Sequence, residues 1–156
     1  MKTTVITYGT FDLFHIGHLN LLRRLKALGD ELIVGVSTDQ FNEEKGKKTI
    51  IRFEDRAEIV SSLKYVDKVI AESSWNQKAK DIKKYNVSIF GMGHDWQSHF
   101  DHLKCYCSVI YLPRTDGISS SELKSTLKIF DPTQMSEIKK ALDTLNSIVE
   151  KISYIK

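Results

Sequence analysis

The sequence predicts an α/β fold, a Rossmann-like, doubly wound five-stranded parallel sheet with an added C-terminal helix. Five short apolar segments, rich in β-branched residues, alternate with stretches of helical periodicity. Polar segments, several with glycine, follow the first, second, fourth and fifth of these strands. Because the carboxyl ends of parallel strands share one edge of the sheet, a ligand site is expected along that edge.

The composition is that of an ordinary globular protein. The chain has 156 residues, 41% hydrophobic and 28% charged, which suits a domain with a sizeable core. A net charge of +3 suits small anionic substrates and gives no reason to expect a nucleic-acid partner. No apolar run is long enough to span a membrane, and Met1-Lys2 leads directly into a strand instead of a signal peptide. We therefore expect a cytoplasmic protein without membrane insertion.

The first strand and the first helix enclose the most informative stretch. Residues 3–7 predict a buried strand, and leucines at helical spacing predict a helix that Gly29 ends. Residues 9–18 form the crossover between them, where α/β proteins hold phosphates against helix N-terminal N–H groups. Too few glycines are present for a P-loop, and no Lys-Ser/Thr pair follows.

That crossover carries two histidines at its end, His15 and His18. By spacing alone the pair is a polar helix start, a metal pair or a phosphate-binding pair. Gly17 between them leaves space where a phosphate can approach the backbone.

The second strand, residues 31–37, is followed by a polar stretch, residues 41–49. Its lack of periodicity is typical of a solvated loop. Its position at the same edge as the histidines makes it a candidate lid, in which Lys45, Lys47 and Lys48 close over a triphosphate.

The remaining elements complete the sheet. They are a helix over 53–63, a strand over 68–71, a helix over 75–85, strands over 88–90 and 109–112, and a helix over 122–129. Gly91 and Gly93 at the end of the fourth strand suggest close approach by a ligand. The hydroxyls of residues 119–121 make a good helix N-cap, and together with Arg114 they also fit a phosphate site.

The two cysteines lie too close together to act as a staple, so a reducing compartment is expected. With two nearby histidines they allow a zinc site to be considered, but their spacing matches no common structural zinc pattern. The four residues are His99, His102, Cys105 and Cys107.

Pro132 breaks the chain, and residues 133–156 predict one further helix. We therefore divide the chain into a domain over 1–130 and a helical extension over 131–156. Apolar residues at alternating spacings of four and three form a narrow seam on that helix; they are Ile138, Leu142, Leu145, Val149 and Ile152. The seam packs on its own domain, forms a homodimer, or leads to a further module.

These motifs, taken together over residues 3–127, resemble the glycerol-3-phosphate cytidylyltransferase family of HIGH-motif nucleotidyltransferases. The likeness rests on Tyr8-Gly9-Thr10-Phe11-Asp12, His15-x-Gly17-His18, Ser37-Thr38-Asp39, Tyr65-Val66-Asp67, Met92-Gly93-x-Asp95-Trp96 and Leu112-Pro113-Arg114-Thr115 with Gly117-Ile118-Ser119. It implies transfer of CMP from CTP to glycerol 3-phosphate, with Mg²⁺ carried by the nucleotide and a homodimeric enzyme.

The resemblance also implies a role for individual residues. The implied catalytic residues are His15, His18, Lys45, Lys47 and Arg114. The implied nucleotide-binding residues are Gly9, Thr10, Phe11, His15, His18, Asp95, Arg114, Thr115, Ile118, Ser119 and Ser120. The implied acceptor-binding residues are Asp39, Arg56, Lys64, Asp67, Trp75 and Lys78.

Two residues depart from the family pattern. Lys64 stands where an arginine is expected, and lysine lacks the bidentate fork. His94 replaces an acidic residue beside Asp95. Phosphoethanolamine or phosphocholine as the acceptor therefore stays open, as does a catalytically silent nucleotide sensor that docks partners through the C-terminal seam.

Overall fold

The computed structural model describes residues 2–128 and 132–153. Its sheet has five parallel strands in the order β3-β2-β1-β4-β5, which confirms the predicted doubly wound fold. The elements are β1 (Thr4–Gly9), α1 (Ile16–Lys26), β2 (Glu31–Ser37), α2 (Asp39–Glu44), α3 (Phe53–Ser61), β3 (Lys68–Glu72), α4 (Gln77–Lys84), β4 (Ile89–Gly93), β5 (Ser108–Leu112), α5 (Ser120–Lys128) and α6 (Pro132–Ser153), with short 3₁₀ helices at His94–Trp96 and Asp101–Cys105.

Apolar side chains cover both faces of the sheet. Ile6 and Tyr8 of β1 belong to one buried cluster, and Val5 belongs to the other. Because successive side chains of a strand point to opposite faces, the two clusters lie on opposite sides of the sheet. At Gly91 in β4 an added Cβ would clash with Leu25 of α1. Gly91 therefore serves helix packing, whereas a Cβ at Gly93 would meet open space, as the prediction of a ligand approach requires.

The predicted solvated loop after β2 is wrong in its first part. Residues 39–44 form the helix α2, in which Phe41 and Asn42 are buried. Thr38 caps this helix, since its hydroxyl oxygen accepts a hydrogen bond from the Phe41 N–H at 3.2 Å. A threonine N-cap followed by Asp39 is a helix-start signal that the sequence already contained.

The chain divides into two compact units, residues 1–120 and 121–156. The second unit holds most of α5 and all of α6, and the predicted domain boundary at residue 130 stays a prediction. Residues 129 and 154–156, predicted as helix ends, lie outside the described residues. Among the described helices, none is both long enough and apolar enough to cross a membrane.

Candidate active site

The two histidines form the N-terminus of α1. His15 is the N-cap, and its Nδ1 accepts a hydrogen bond from the Gly17 N–H at 3.0 Å. His18 reaches back, so that its Nδ1 accepts from the His15 N–H at 3.3 Å. The two rings stack with their centroids 3.9 Å apart. The pair is thus fixed by the backbone it caps.

This capping decides which ring nitrogens carry hydrogen. Because both Nδ1 atoms accept backbone hydrogen bonds, each neutral imidazole holds its proton on Nε2. The Ser120 hydroxyl lies 3.3 Å from Nε2 of His15 and 3.5 Å from Nε2 of His18, and it donates its own hydrogen to the carbonyl of Asp12. Both Nε2–H groups therefore point towards the Ser120 oxygen, at the carboxyl end of β1.

Both histidines are held neutral near pH 7. Burial, and the charge of Arg114, lower the pKa of His15. Burial and the neighbouring His15 lower the pKa of His18 to about 4, against the opposing charge of Asp12. The two side chains are therefore neutral hydrogen-bond donors.

Two expectations about this turn are corrected. The space at Gly17 is taken by the His15 ring, because an added Cβ would lie 2.9 Å from its Nδ1. Gly17 thus admits the imidazole and leaves no gap for a phosphate. Phe11 was expected to contact the nucleotide, but its side chain is buried and its ring meets His18 edge-on at 5.4 Å. A Cβ at Gly9 would lie 2.8 Å from that ring, so Gly9 makes room for Phe11.

Asp12 ties the turn to the segment after α2. Its carboxylate accepts hydrogen bonds from the N–H groups of Ile50 and Ile51 at 2.8 and 2.9 Å. Thr10 makes a second tie, because its hydroxyl donates to the Asn42 side-chain oxygen at 2.9 Å. These hydrogen bonds fix the segment after β1 in position relative to the segment after β2.

Arg56, expected beside the acceptor, is a buried structural residue. It is fully buried, and it donates to the carbonyls of Thr10, Ser37 and Ile51 at 2.6, 2.8 and 2.9 Å. Its other terminal nitrogen donates to Asp39 at 2.6 Å. With four acceptors engaged and no exposure, the guanidinium is in no position to contact a phosphate ester.

Asp39 shares that structural role. Besides Arg56, it accepts from the N–H of Phe53 and the hydroxyl of Thr49. Burial acts to raise the pKa of Asp39, but these hydrogen bonds outweigh it and leave the pKa below its usual value. Its carboxylate is therefore committed to holding the start of α3.

Lys45 and Lys78 meet at a buried carboxylate, Glu72, at the end of β3. One Glu72 oxygen accepts from Lys78, and the other accepts from the Ser37 hydroxyl and lies 3.9 Å from the Lys45 nitrogen. The exposed fraction of these three side chains is only 3% for Lys78 and Glu72 and 9% for Lys45. Lys45 also donates to Ser37 at 3.0 Å.

Of the three lysines in the predicted lid, Lys45 and Lys47 have different surroundings in the structure. Burial lowers the pKa of Lys45 to about 8, while the charge of Glu72 opposes that shift. Lys45 is packed, whereas a residue of the predicted solvated loop would be exposed. Lys47 is exposed and lies 5.4 Å from the Trp96 ring, which fits the predicted solvated position.

Aromatic rings surround the two buried ammonium groups. Lys78 lies 4.7 Å from the Tyr8 ring and 4.8 Å from the Trp75 ring. Lys45 lies 4.2 Å from the Phe41 ring. Trp75, predicted on the acceptor side, is about half exposed at this edge of the sheet. The rings thus present their faces to lysine, a favourable cation–π arrangement.

The fourth and fifth strands bring the remaining predicted nucleotide contacts to the same edge. Arg114 lies 3.8 Å from Asp95, and both side chains are exposed. The Thr115 hydroxyl accepts from Asn20 of α1 at 3.3 Å. Ile118 would touch a Cβ at Gly17, and the buried Ser119 precedes Ser120, which contacts both histidines.

Two predicted acceptor residues lie at the wrong edge. Lys64 and Asp67 precede β3, and in a parallel sheet the start of a strand is opposite the edge that holds His15. Asp67 accepts from Lys26 at the end of α1 and from the N–H of Leu32, both at 2.6–2.7 Å. Neither residue lies at the edge of the sheet that holds the site described above.

Several residues of this edge were missed at the sequence level. Glu72 was assigned no role, although a charged residue directly after an apolar strand was a usable signal. No comparable sequence signal marked Asn42, because it lies in a stretch predicted to be a loop. Asp81 is also buried, and it accepts from the Tyr8 hydroxyl at 2.9 Å and from Gln77.

The described part of the protein contains no preformed cluster of metal-binding side chains. Across residues 2–128 and 132–153, no group of three or more His, Cys, Asp or Glu side chains is arranged to hold an ion. The residues weighed as a zinc site, His99, His102, Cys105 and Cys107, fall within that range.

Comparisons with known proteins identify the family of this chain. A family model described as cytidylyltransferase-like matches residues 6–126. The glycerol-3-phosphate cytidylyltransferase of Staphylococcus aureus is 53% identical over 123 residues, 79% of this chain and 93% of that protein. Its counterpart in Bacillus subtilis is 52% identical, over 79% of this chain and 95% of that one.

Among solved structures, the lipopolysaccharide core biosynthesis protein from Thermoplasma volcanium superposes with a TM-score of 0.64 at 28% identity, over 74% of this chain and all of that one. The helix α6 lies beyond the residues that the family model matches. On the family-model match and these identities, the chain belongs to the glycerol-3-phosphate cytidylyltransferase family within the cytidylyltransferase-like proteins.

Proposed function

We propose that this protein transfers CMP from CTP to sn-glycerol 3-phosphate and releases pyrophosphate and CDP-glycerol. The observation that carries the proposal is the pairing, at one sheet edge, of two fixed imidazole N–H donors with two buried lysines. The first pair suits a triphosphate at a helix N-terminus. The second pair suits the phosphate of an acceptor.

The reaction needs charge stabilisation more than it needs a base. The acceptor phosphate, with a second pKa of ~6, is largely a dianion at neutral pH and attacks without losing a proton. Its oxygen forms a bond to the α-phosphorus of CTP, and the bond from that phosphorus to the bridging oxygen of pyrophosphate breaks. The Nε2–H groups of His15 and His18 donate to oxygens whose charge grows in this step.

The other cations would bind the reacting phosphates. Lys45 and Lys78 would hold the acceptor phosphate, and Arg114 and Lys47 would contact the triphosphate. The backbone of residues 9–11, together with Thr115 and residues 118–120, would complete the nucleotide site, with Asp95 at its rim. The choice of cytosine rests on family membership, because phosphate contacts serve any nucleoside triphosphate.

We further propose Mg²⁺ as the cofactor, bound through the nucleotide. The residues present fit this mode, because Mg²⁺ retains waters and needs few protein carboxylates, and the Asp12 carboxylate is already engaged by two N–H groups. The ion would neutralise charge on the triphosphate and the leaving pyrophosphate. We assign it no protein ligand.

The acceptor site favours an uncharged polyol tail over a cationic one. A choline or ethanolamine group would seek aromatic faces, but the nearby faces of Phe41, Trp75 and Tyr8 already contact lysine ammonium groups. A second cation there would be repelled by Lys45 and Lys78. Glycerol 3-phosphate brings its phosphate to the lysines without this penalty.

Pyrophosphate release tests the proposal directly. Each nucleoside triphosphate is paired with glycerol 3-phosphate, phosphoethanolamine and phosphocholine, with and without Mg²⁺ and with His18→Ala as the control. We expect release with CTP, glycerol 3-phosphate and Mg²⁺. Preference for phosphocholine would replace the acceptor, and absence of release with every pair would favour a nucleotide sensor.

We also propose that the protein is a homodimer to which α6 contributes. Ile138, Leu142 and Leu145, on one face of that helix, are each more than half exposed in the single chain. A seam at this spacing suits a second helix. A tether to a further polymer-synthesis module is the alternative.

We propose that the product, CDP-glycerol, serves as the activated unit for teichoic-acid or capsule-type polymers.

A further inference from the structure

Glu72 is a buried charge that the reaction proposed above does not use. It ends β3 at the edge that holds the histidines, and its side chain is 3% exposed. A carboxylate removed from water is unfavourable unless cations and hydrogen bonds compensate it. Here the compensating groups are the two lysines of the acceptor site.

Each Glu72 oxygen faces one of these lysines. One oxygen accepts from Lys78 of α4, and the other lies 3.9 Å from Lys45 and accepts from Ser37 of β2. Ser37 in turn accepts a hydrogen bond from Lys45 at 3.0 Å. The carboxylate therefore bridges two cations, one directly after α2 and the other in α4.

We propose that Glu72 is a positioning residue for the transfer reaction, whose carboxylate bridges Lys45 and Lys78 and holds both ammonium groups at the acceptor phosphate. Like-charged lysines at close quarters repel each other, and a shared anion offsets that repulsion before the substrate arrives. When the acceptor binds, its dianion meets two cations that are already in place. This inference rests on the proposed function for its substrate.

The bridge has a consequence for Lys45 in particular. Burial lowers the pKa of Lys45 to about 8, and the cations Lys47, Lys78 and Arg56 lower it further, whereas Glu72 raises it. Beside Lys78, the Tyr8 ring lies 4.7 Å from the ammonium group, and the Tyr8 hydroxyl donates to Asp81. Loss of the Glu72 charge should therefore deprotonate Lys45 at a lower pH.

Glu72→Gln tests this with two measurements. The first follows the side-chain NMR shifts of Lys45 against pH, assigned by their loss in Lys45→Arg. The second follows kcat/KM for glycerol 3-phosphate against pH, which reports the free enzyme. We expect the Lys45 titration and the alkaline limb of kcat/KM to move down together by about one pH unit or more, the size that Coulomb attraction at such a separation implies.

Two further variants separate positioning from general structural support. Glu72→Asp keeps the charge on a shorter arm, so we expect the alkaline limb to stay and the KM for glycerol 3-phosphate to rise. Glu31→Gln, which removes a carboxylate at the opposite edge of the sheet, should leave both the limb and the KM unchanged.

The outcomes distinguish this inference from the proposed function. An unchanged Lys45 titration and alkaline limb in Glu72→Gln, or an unchanged KM in Glu72→Asp, would overturn the positioning role. A wild-type protein that releases no pyrophosphate with any phosphate ester would overturn the proposed function instead. In that case the NMR titration still decides whether Glu72 keeps Lys45 protonated.

Discussion

Replacement of Arg56 should destabilise the fold before it affects chemistry. The guanidinium is fully buried, and its four hydrogen bonds join segments that follow β1, β2 and α2. Arg56→Ala leaves three carbonyls without their donor, and each buried acceptor left unsatisfied costs about 1–3 kcal/mol, so we expect a total loss of about 3–5 kcal/mol. Arg56→Lys keeps the charge but loses the fork. With two to three of the four bonds gone, we expect a cost of about 2–4 kcal/mol.

Urea unfolding followed by tryptophan fluorescence measures the effect. For a urea m-value of about 2 kcal/mol/M, the midpoint of Arg56→Lys should fall by about 1–2 M. Arg52→Ala is the matched control, because Arg52 lies four residues before Arg56 and forms an exposed ion pair with Asp55. Its loss should lower the free energy of unfolding by less than about 1 kcal/mol. If Arg56→Lys unfolded at the wild-type midpoint while its KM for the acceptor rose, Arg56 would contact the acceptor and our structural assignment would be refuted.

Three further predictions follow from the site. His15→Ala and His18→Ala should each lower kcat by ~10²–10³-fold with little change in CTP affinity; normal turnover with weak CTP binding would assign them to ground-state binding. Lys45→Ala should lower both turnover and melting temperature, whereas the exposed Lys47→Ala should lower turnover alone, and equal melting losses would reject that distinction. Truncation after residue 130 should convert a dimer to a monomer by light scattering; a truncated dimer with unchanged stability and activity would favour the tether.

Much of the fold could be predicted because one physical signal repeats along the chain. Short apolar strands alternate with amphipathic helices, and the all-parallel sheet follows from that alternation. The position of His15 at a helix N-terminus follows from the same pattern. What the pattern could not show was which cations become buried, since burial of Arg56 and Lys45 depends on partners that are distant in sequence.

The acceptor residues illustrate where sequence reasoning fails. Trp75 and Lys78 follow β3, and the structure brings them to the edge that holds the histidines. Lys64 and Asp67 precede the same strand and lie at the opposite edge. All four came from one family likeness, and only strand direction separates them. A strand bounded at Lys68 and Glu72 would have been enough to divide the set, because side chains before and after a parallel strand lie a full strand length apart.

The histidines show how local structure fixes chemistry here. A histidine that served as a general base would need a free ring nitrogen directed at the substrate. In this protein both Nδ1 atoms accept N–H groups of their own turn, so the outward Nε2 atoms can only donate. An acceptor that is already a dianion has no proton to lose, and such a site needs donors alone. The capping geometry of α1 therefore agrees with a phosphate-ester nucleophile and disfavours a hydroxyl nucleophile, which would have to be deprotonated.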